Sequence, residues 1–271
     1  QCINLGLKVT IFIADMHSFM DKGAEHIKRT EDRAKFYEYL LVALMRLLNV
    51  ERNQYSIVFG SQVQLTPQYM KNLLHFTTMV NVNEAKHAAA DVVKKNEQPK
   101  LSSLIYPLMQ CLDEVALNAD IQLGGTDQRK IFMLGRDFMD KLGFKKCVYL
   151  MNPLIPSLIK GEKMSSSSDG KIDFLDNEET IQQKIKKAFC VPGEIGPCTE
   201  LLKYICFPMR NTILINNTNY DYASFEKAWL TGQISPQDLK ASLAAELSAI
   251  ISPIRTLLQT EGLELFRKAY D

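Results

Sequence analysis

The 271 residues are 46% hydrophobic, with 32 Lys and Arg against 31 Asp and Glu. That length and apolar share allow a full core, one large domain or a domain with an appendage, and exclude a disordered or collagen-like chain. The near-zero net charge decides nothing about nucleic acid, because a basic face can hide inside a neutral sum.

In chain order, "KVTIFIAD" (Lys8 to Asp15) reads as a strand buried on both faces, of the kind found inside parallel sheets. Between Glu31 and Val50, Tyr37, Leu40, Leu41, Leu44, Leu47 and Leu48 recur at spacings of three and four, the stripe of an amphipathic helix. "YSIVFGS" (Tyr55 to Ser61) is a second strand, so the opening reads as a right-handed βαβ unit. Thr66 to Asn96 is helical but mixed. Ser102 to Leu117 carries an apolar periodicity interrupted by a proline, which predicts a helix beginning or kinking near Pro107. "ADIQLGG" is a short strand closed by Gly124 and Gly125, Asp127 is placed to cap a helix running to about Leu142, and "KKCVYLMNP" is a further strand ending at Pro153. These elements predict a doubly wound, Rossmann-like α/β core with a parallel sheet. Ligands in such sheets lie beyond the carboxyl ends of the strands, where this chain carries Asp15 with His17, then Gln122 with "GGTDQ", then "MNP".

After Asp176 the character changes. "EETIQQKIKKAFC" is a basic amphipathic helix, "TILIN" is the one candidate strand, and the last residues read as two helical stretches broken at Pro253. The expectation is a catalytic domain over residues 1–176 and a helical domain over 177–271. No internal repeat is present.

The six cysteines form no C-x-x-C pair, so a zinc site is not expected; Cys190, Cys198 and Cys206 read as small apolar residues near helices, with free thiols in a reducing compartment. No apolar run approaches the roughly 18 to 20 residues of a membrane span, and there is no signal-peptide pattern. A cytoplasmic protein without membrane contact is therefore expected. The opening "QCINLGLKVTIFIAD" has no initiating methionine and enters a strand almost at once, so an upstream segment is expected as well.

Three local patterns carry chemistry. Tyr106, Gln110 and Asp113 lie four and three residues apart, on one face of an otherwise apolar helix. They are either a buried structural network or a pocket for a small polar ligand, since unpaired polar groups are costly inside a protein. Gln122 enters the sheet end with its side chain opposed to Ile121 and Leu123, while Gly124 and Gly125 either serve turn chemistry or let a ligand approach the backbone, with Asp127 able to accept from a ribose diol. The run "GEKMSSSSDGK" (Gly161 to Lys171) is either a solvated linker or a ligand-contacting loop.

"IYPLMQCLDEVALNADIQLGGTDQRKIF", then "NPLIPSL" and "KMSSSS", with "ADMHSF", "LMNP" and "AFCVPG", resembles the class I aminoacyl-tRNA synthetases, in particular the archaeal and eukaryotic tyrosyl type, from about Val9 to Tyr270. The order of a Y-P-x-x-Q-x-x-D helix, Q-x-G-G-x-D-Q-R-K and KMSSS is what makes the resemblance specific. It implies that Tyr106, Gln110 and Gln122 hold the α-amino group and nearby atoms of a tyrosine substrate, and that Asp113 accepts its phenolic hydroxyl. Asp127 would hold the ATP ribose, Gln128 would lie near the reacting carboxylate, and Gly124, Gly125, Asp15 and His17 would border the nucleotide. Lys163 would neutralise the triphosphate, and Ser165, Ser166 and Ser167 would offer hydroxyls and backbone N–H groups from a mobile loop. The implied reaction activates L-tyrosine with ATP and transfers it to tRNA(Tyr). Mg²⁺ would travel with ATP, and no protein-held metal is expected.

Two departures from the family pattern stand out. A H-x-G-H-like segment is absent, so without an upstream segment this polypeptide is not expected to activate tyrosine. The anticodon stretch reads "SPQDLK", with Ser235 where the family has histidine, Asp238 retained, and no "K-[FW]-G-G" segment before it. The chain is therefore expected to be one half of a duplicated pseudo-dimer, or a homodimer with its contact at about residues 64–108. The rival readings are a tryptophanyl-tRNA synthetase and a catalytically inactive tRNA-binding or signalling relative.

Overall fold

A computed structural model describes residues 2–22, 27–92, 100–159, 170–260 and 262–270. It divides into two compact units, the first over Gln1–Pro153 and Gly262–Asp271, the second over Leu154–Glu261.

The first unit is α/β with parallel strands, as the alternating pattern predicts. β1 (Val9–Ile13) leads into α1 (Asp15–Lys22) and α2 (Ile27–Leu47), after which β2 (Tyr55–Phe59) pairs in parallel with β1, Val9 opposite Tyr55 and Ile13 opposite Phe59. α3 (Gly60–Gln64), α4 (Pro67–Thr77), α5 (Val82–Ala89) and α6 (Leu101–Ala116) follow. β3 (Ile121–Gly125), α7 (Arg129–Phe138) and β4 (Val148–Asn152) complete a second crossover, with Ile121 opposite Val148. The four strands thus form two parallel ladders, β1–β2 and β3–β4. Tyr69, Leu73 and Phe76 of α4, Leu108, Met109 and Leu112 of α6, and Ile131 and Leu134 of α7 make the core.

Three element boundaries differ from expectation. α6 starts at Leu101, so it does not begin at Pro107 but carries it in its interior, because the burial of Leu108, Met109 and Leu112 outweighs the bond that proline removes from the carbonyl four residues back. Asp127 lies within a 3₁₀ turn, Thr126–Gln128, and the residue that caps α7 is Gln128, so the carboxylate is not spent on capping. α7 ends at Phe138, short of Leu142.

The second unit is helical around one hairpin. It holds α8 (Glu178–Lys187), α9 (Pro197–Leu201), α10 (Phe207–Arg210), β5 (Ile213–Ile215), β6 (Thr218–Tyr220), α11 (Tyr222–Leu230) and α12 (Pro236–Thr260). Its core gathers Ile181, Ile185, Leu202, Phe225, Trp229, Leu239, Leu243 and Leu247. The "TILIN" strand is β5, and its partner β6 returns through Asn216 and Asn217, both at positive φ, the backbone of a two-residue hairpin turn.

The expected break at Pro253 does not occur. α12 runs unbroken through it to Thr260, with Ile250, Ile251, Ile254 and Leu258 buried on both sides of the proline. α12 is also the one described helix long and apolar enough to cross a membrane, and its apolar positions are those that fill this core. The helix that follows it in the chain, α13 (Leu263–Tyr270), belongs to the first unit, where Phe266 and Tyr270 pack edge-on against Phe36 of α2 at 5.5 and 5.8 Å. The units part at 153, ahead of the change in composition at 176, because Ile155, Leu158, Ile172 and Phe174 already pack on the second core.

Candidate functional site

The site grows from the ends of β1 and β2. Chain leaving β1 gives Asp15 and His17 on α1, and chain leaving β2 gives Gly60, Ser61 and Gln64 on α3. Asp15 ties the two together: its Oδ1 accepts the Ser61 N–H at 2.8 Å and its Oδ2 the Ser61 hydroxyl at 2.5 Å. Gly60 has no side chain for a packing reason, since a Cβ there would stand 2.6 Å from Gln64 Oε1 and 2.8 Å from Asp15 Oδ1. Asp15, expected beside a nucleotide, is thus 9% exposed and engaged in holding the start of α3.

The junction places Gln64 at 0% exposure against α6. Its amide nitrogen donates to Asp113 Oδ1 at 2.8 Å and lies 3.2 Å from His17 Nδ1. Tyr69 Oη, on α4, is a second donor to the same Asp113 oxygen at 2.8 Å and also lies 2.8 Å from the Met109 carbonyl. Both bonds land on Oδ1. Among the described residues no hydrogen bond reaches Asp113 Oδ2, which is 3.8 Å from His17 Nε2. His17 Nε2 and Gln64 Oε1 are buried and have no partner among the described residues. A neutral imidazole that accepts at Nδ1 from Gln64 carries its proton on Nε2, facing Asp113 Oδ2.

Burial sets the charges. It lowers the His17 pKa to about 4, against the Tyr106 backbone and the Asp15 charge that work the other way, so the imidazole is neutral at pH 7 and the His17–Asp113 contact is not an ion pair. The Asp113 carboxyl is raised to about 7 by burial, opposed by the bonds from Gln64 and Tyr69. Burial also pushes the Tyr69 phenol well up, with the Asp113 charge adding to it, which keeps Tyr69 a donor.

Tyr106, Gln110 and Asp113 share one face of α6, as their spacing predicts. Tyr106 meets His17 edge to face, ring centres 4.5 Å apart, and its phenol is raised to about 12 by burial and then by the charges of Asp21, Asp113 and Asp127. Gln110 Nε2 donates to Gln128 Oε1 at 3.0 Å, joining α6 to the turn after β3. The structure therefore gathers His17, Gln64, Tyr69 and Asp113 into one network with Tyr106 against His17, and joins Gln110 to Gln128 in a separate pair farther along the same face of α6. Gln122 sits on β3 opposite Tyr149, half-buried, and neither its side chain nor that of Asp127 makes a hydrogen bond among the described residues. Its neighbours Ile121 and Leu123 are 41% and 52% exposed, so the opposite face of β3 is bare.

Gly124 has an internal explanation: a Cβ there would lie 2.6 Å from the ring of Phe132, which stacks on Tyr149 with centroids 4.8 Å apart. Gly125 opens the 3₁₀ turn that holds Asp127 and Gln128. Lys163, Ser165, Ser166 and Ser167 lie outside the described residues. In the second unit, Asp238 Oδ2 accepts the Ser235 hydroxyl at 2.7 Å while the Asp238 N–H donates to Ser235 Oγ at 3.1 Å, a reciprocal cap at the start of α12. The described residues hold no group of three or more His, Cys, Asp or Glu able to bind a metal ion.

Gln64 and Tyr69 escape a reading by sequence pattern. They fall where the helical periodicity is mixed, and only the placement of a polar residue four positions after Gly60, just past the end of β2, marks Gln64.

Residues 1–252 match the model of the tRNA synthetases class I (W and Y). The chain is 38% identical to the cytoplasmic tyrosine–tRNA ligase of Saccharomyces cerevisiae, over 93% of this chain and 69% of that one. To the cytoplasmic tyrosine–tRNA ligase of Gallus gallus it is 35% identical over 98% of this chain, but it spans only 53% of that protein's length. The crystal structure of the Archaeoglobus fulgidus tyrosyl-tRNA synthetase complexed with L-tyrosine superposes with a TM-score of 0.88 at 29% identity, covering 94% of this chain and 82% of that one.

Proposed function

The chain belongs to the class I tRNA synthetases, within their tyrosyl group, and from that premise we propose that it activates L-tyrosine with ATP and transfers the tyrosyl group to tRNA(Tyr). Members of this family use ATP. In the proposed first step the tyrosine carboxylate attacks the α-phosphate in line, giving tyrosyl-adenylate and releasing pyrophosphate. The step needs no protein nucleophile and no proton abstraction, so positioning and charge stabilisation carry it.

The observation that carries this reading is Asp113: a buried carboxyl group with one oxygen clamped by Gln64 and Tyr69 and the other without a hydrogen bond among the described residues. A phenolic hydroxyl donating to Oδ2 would complete it. Phenylalanine would leave Oδ2 unsatisfied at a desolvated site, which is how such sites reject the analogue; tyrosyl-tRNA synthetases are themselves the known instance of this rule, with a discrimination of about 10⁵. Tyr106, Gln110 and Gln122 would hold the α-amino end, Gln128 the reacting carboxylate and Asp127 the ribose. Lys163 and Ser165 to Ser167 would supply the loop that neutralises the triphosphate. Mg²⁺ would arrive bound to ATP through phosphate oxygens and water.

We further read the exposed Leu65, Leu74, Val82 and Leu101, at 59%, 64%, 62% and 73% exposure, as support for contact with a second copy or a duplicated half around residues 64–108. The second unit, with Asp238, would meet the anticodon arm, and the setting would be cytoplasmic, as for the named relatives.

The test is ATP–pyrophosphate exchange by the full native polypeptide with tyrosine, tryptophan or phenylalanine. Tyrosine alone should support exchange, and Asp113→Ala should abolish the preference over phenylalanine. Exchange driven by tryptophan would make this a tryptophanyl enzyme. Tyrosine binding by calorimetry without any exchange would make it an inactive relative.

A further inference from the structure

α6 is fastened to the β3, α7 and β4 segment by three side chains, and two of them, Gln110 and Glu114, lie one helical turn apart. Gln110 Nε2 donates to Gln128 Oε1 at 3.0 Å, and the Cys111 thiol donates to the Ile131 carbonyl at 3.4 Å. Glu114, 3% exposed, accepts the Tyr149 hydroxyl of β4 on Oε2 at 3.0 Å. Its second oxygen, Oε1, is buried without a hydrogen bond among the described residues, and the Cys147 thiol donates to the Ala119 carbonyl at 3.0 Å instead. A buried carboxyl with one oxygen unbonded lowers stability, whereas an apolar side chain of similar size would not, so packing alone does not account for Glu114.

The bond to Glu114 is the first link of a path that ends at Gln128. Tyr149 Oη also crowds α7: a Cβ on Gly135 would stand 2.6 Å from it, so the hydroxyl is seated between the two helices. The Tyr149 ring stacks on the fully buried Phe132, with centroids 4.8 Å apart and planes 16° from parallel. The far end of the Phe132 ring rests on Gly124, where a Cβ would lie 2.6 Å from it and 3.3 Å from Gln128 Cγ. Phe132 and Gln128 thus bear on the same stretch of backbone, and the Gln128 side chain returns to α6 through Gln110. Asp113, although next to Glu114 in the chain, lies off this circuit, because its Oδ1 is held by Gln64 of α3 and Tyr69 of α4.

We propose that Glu114 is a positioning residue for the activation step: by holding Tyr149, and through it the Phe132 ring, it fixes where Gln128 stands relative to Tyr106 and Gln110. Given the proposed reading of the site, in which Gln128 meets the reacting carboxylate while Tyr106 and Gln110 hold the α-amino group, Glu114 sets the approach of that carboxylate to the α-phosphate. It acts through Tyr149 and not by contact with substrate. A reacting group displaced by about 1 Å loses about 10²-fold in rate, while contacts to the rest of the substrate are kept. The Tyr149 hydroxyl needs only an acceptor, so ionised glutamate, protonated glutamate and glutamine all serve.

The experiment measures tyrosine-dependent ATP–pyrophosphate exchange by the full native polypeptide and its variants, with backbone hydrogen exchange of residues 125–128 in the unliganded protein as a readout independent of activity. Tyr149→Phe, which keeps the ring and its stack, and Glu114→Ala should each lower kcat about ten-fold or more, with KM for tyrosine within about three-fold and the preference over phenylalanine unchanged. The double variant should lose no more than the worse single one, since the same bond is broken in each. Glu114→Gln should keep kcat within about three-fold of the native value. In both damaging variants the 125–128 amides should exchange at least about ten-fold faster. Should Glu114→Ala fail to fold, Tyr149→Phe carries the test. A native polypeptide that supports no exchange with tyrosine overturns the tyrosyl assignment, and the 125–128 amides then decide the positioning role by themselves. Unchanged kcat in Tyr149→Phe, losses that add in the double variant, a loss confined to KM, Glu114→Gln as slow as Glu114→Ala, or 125–128 amides that exchange at the native rate each overturn it.

Discussion

At Asp113 the proposed binding mode makes occupancy depend on a single protonation. The Asp113 carboxyl is held near 7 by burial, and in the proposed binding mode a phenol donating to Oδ2 needs the ionised form, so proton and tyrosine would compete. Tyrosine affinity should therefore fall by about ten-fold from pH 8 to pH 6, while phenylalanine, which offers no hydroxyl, should show no such slope. Calorimetry across that range checks this, and Asp113→Asn should bind weakly with a flat profile; a persisting slope in that variant would place the titration elsewhere. Glu114, the next residue on α6, is raised to about 7 by burial although Tyr149 Oη donates to it at 3.0 Å. An acid whose folded pKa lies above its unfolded value gives stability that is present below about 4.5 and lost as pH rises towards 7. Asp113 acts with the same sign, and His17, lowered to about 4, acts oppositely between about 4 and 6.5. Glu114→Gln should accordingly flatten the stability profile by about 1.4 kcal/mol per pH unit in that window, read from denaturant midpoints at several pH values. The Tyr106, Gln110 and Asp113 face was legible in the sequence because helical spacing alone puts it together. The clamp on Asp113 was not, since Gln64 and Tyr69 reach it from helices whose packing no local pattern encodes.

The element that positions the site is the abrupt change from β2 to α3. Strands and crossovers here could be read from β-branched runs and leucine periodicity, because a buried parallel strand has few alternatives to such a composition. What could not be read is why Gly60 stands at the junction: its backbone is not in the left-handed region, and the reason lies in two side chains brought in from α1 and from α3 itself. Gly60→Ala should force Gln64 and Asp15 to move, costing about 1–3 kcal/mol by overpacking and weakening tyrosine binding with it. A control, Gly143→Ala, meets no atom within 4 Å but is strained by its φ of +81°, so it should lose stability without loss of affinity. Equal effects of the two on tyrosine affinity would remove the positioning role assigned to the junction. Pro253 teaches the converse about helices. Proline is a breaker by local chemistry, and α12 continues through it because apolar residues on either side are already committed to a core that the local sequence does not reveal.

Each unit of the molecule has its own core, and the chain returns to the first after completing the second. Composition marks a change near Asp176, which is where polarity shifts; compactness is decided instead by the side chains at 155, 158, 172 and 174, which bury against the second core before the shift is visible. The return of α13 was equally hidden, because an amphipathic terminal helix does not state which face it will cover. In the structure Arg33 Nε donates to the Ala269 carbonyl at 3.1 Å and its guanidinium lies 5.3 Å from the ring centre of Tyr270, while Phe36, 6% exposed, fills the space between α2 and α13. Phe36→Ala removes the ring that three aromatic contacts share and should destabilise the first unit by about 3–5 kcal/mol. The chain has one tryptophan, Trp229, buried in the second unit, so fluorescence reports that unit alone. Hydrogen exchange should show protection lost first across α13 and α2, with the Trp229 unfolding midpoint unchanged. If the fluorescence midpoint moved with the loss of protection in α2, the two cores would unfold as one, and stability in this chain would be a property of the whole and not of its parts.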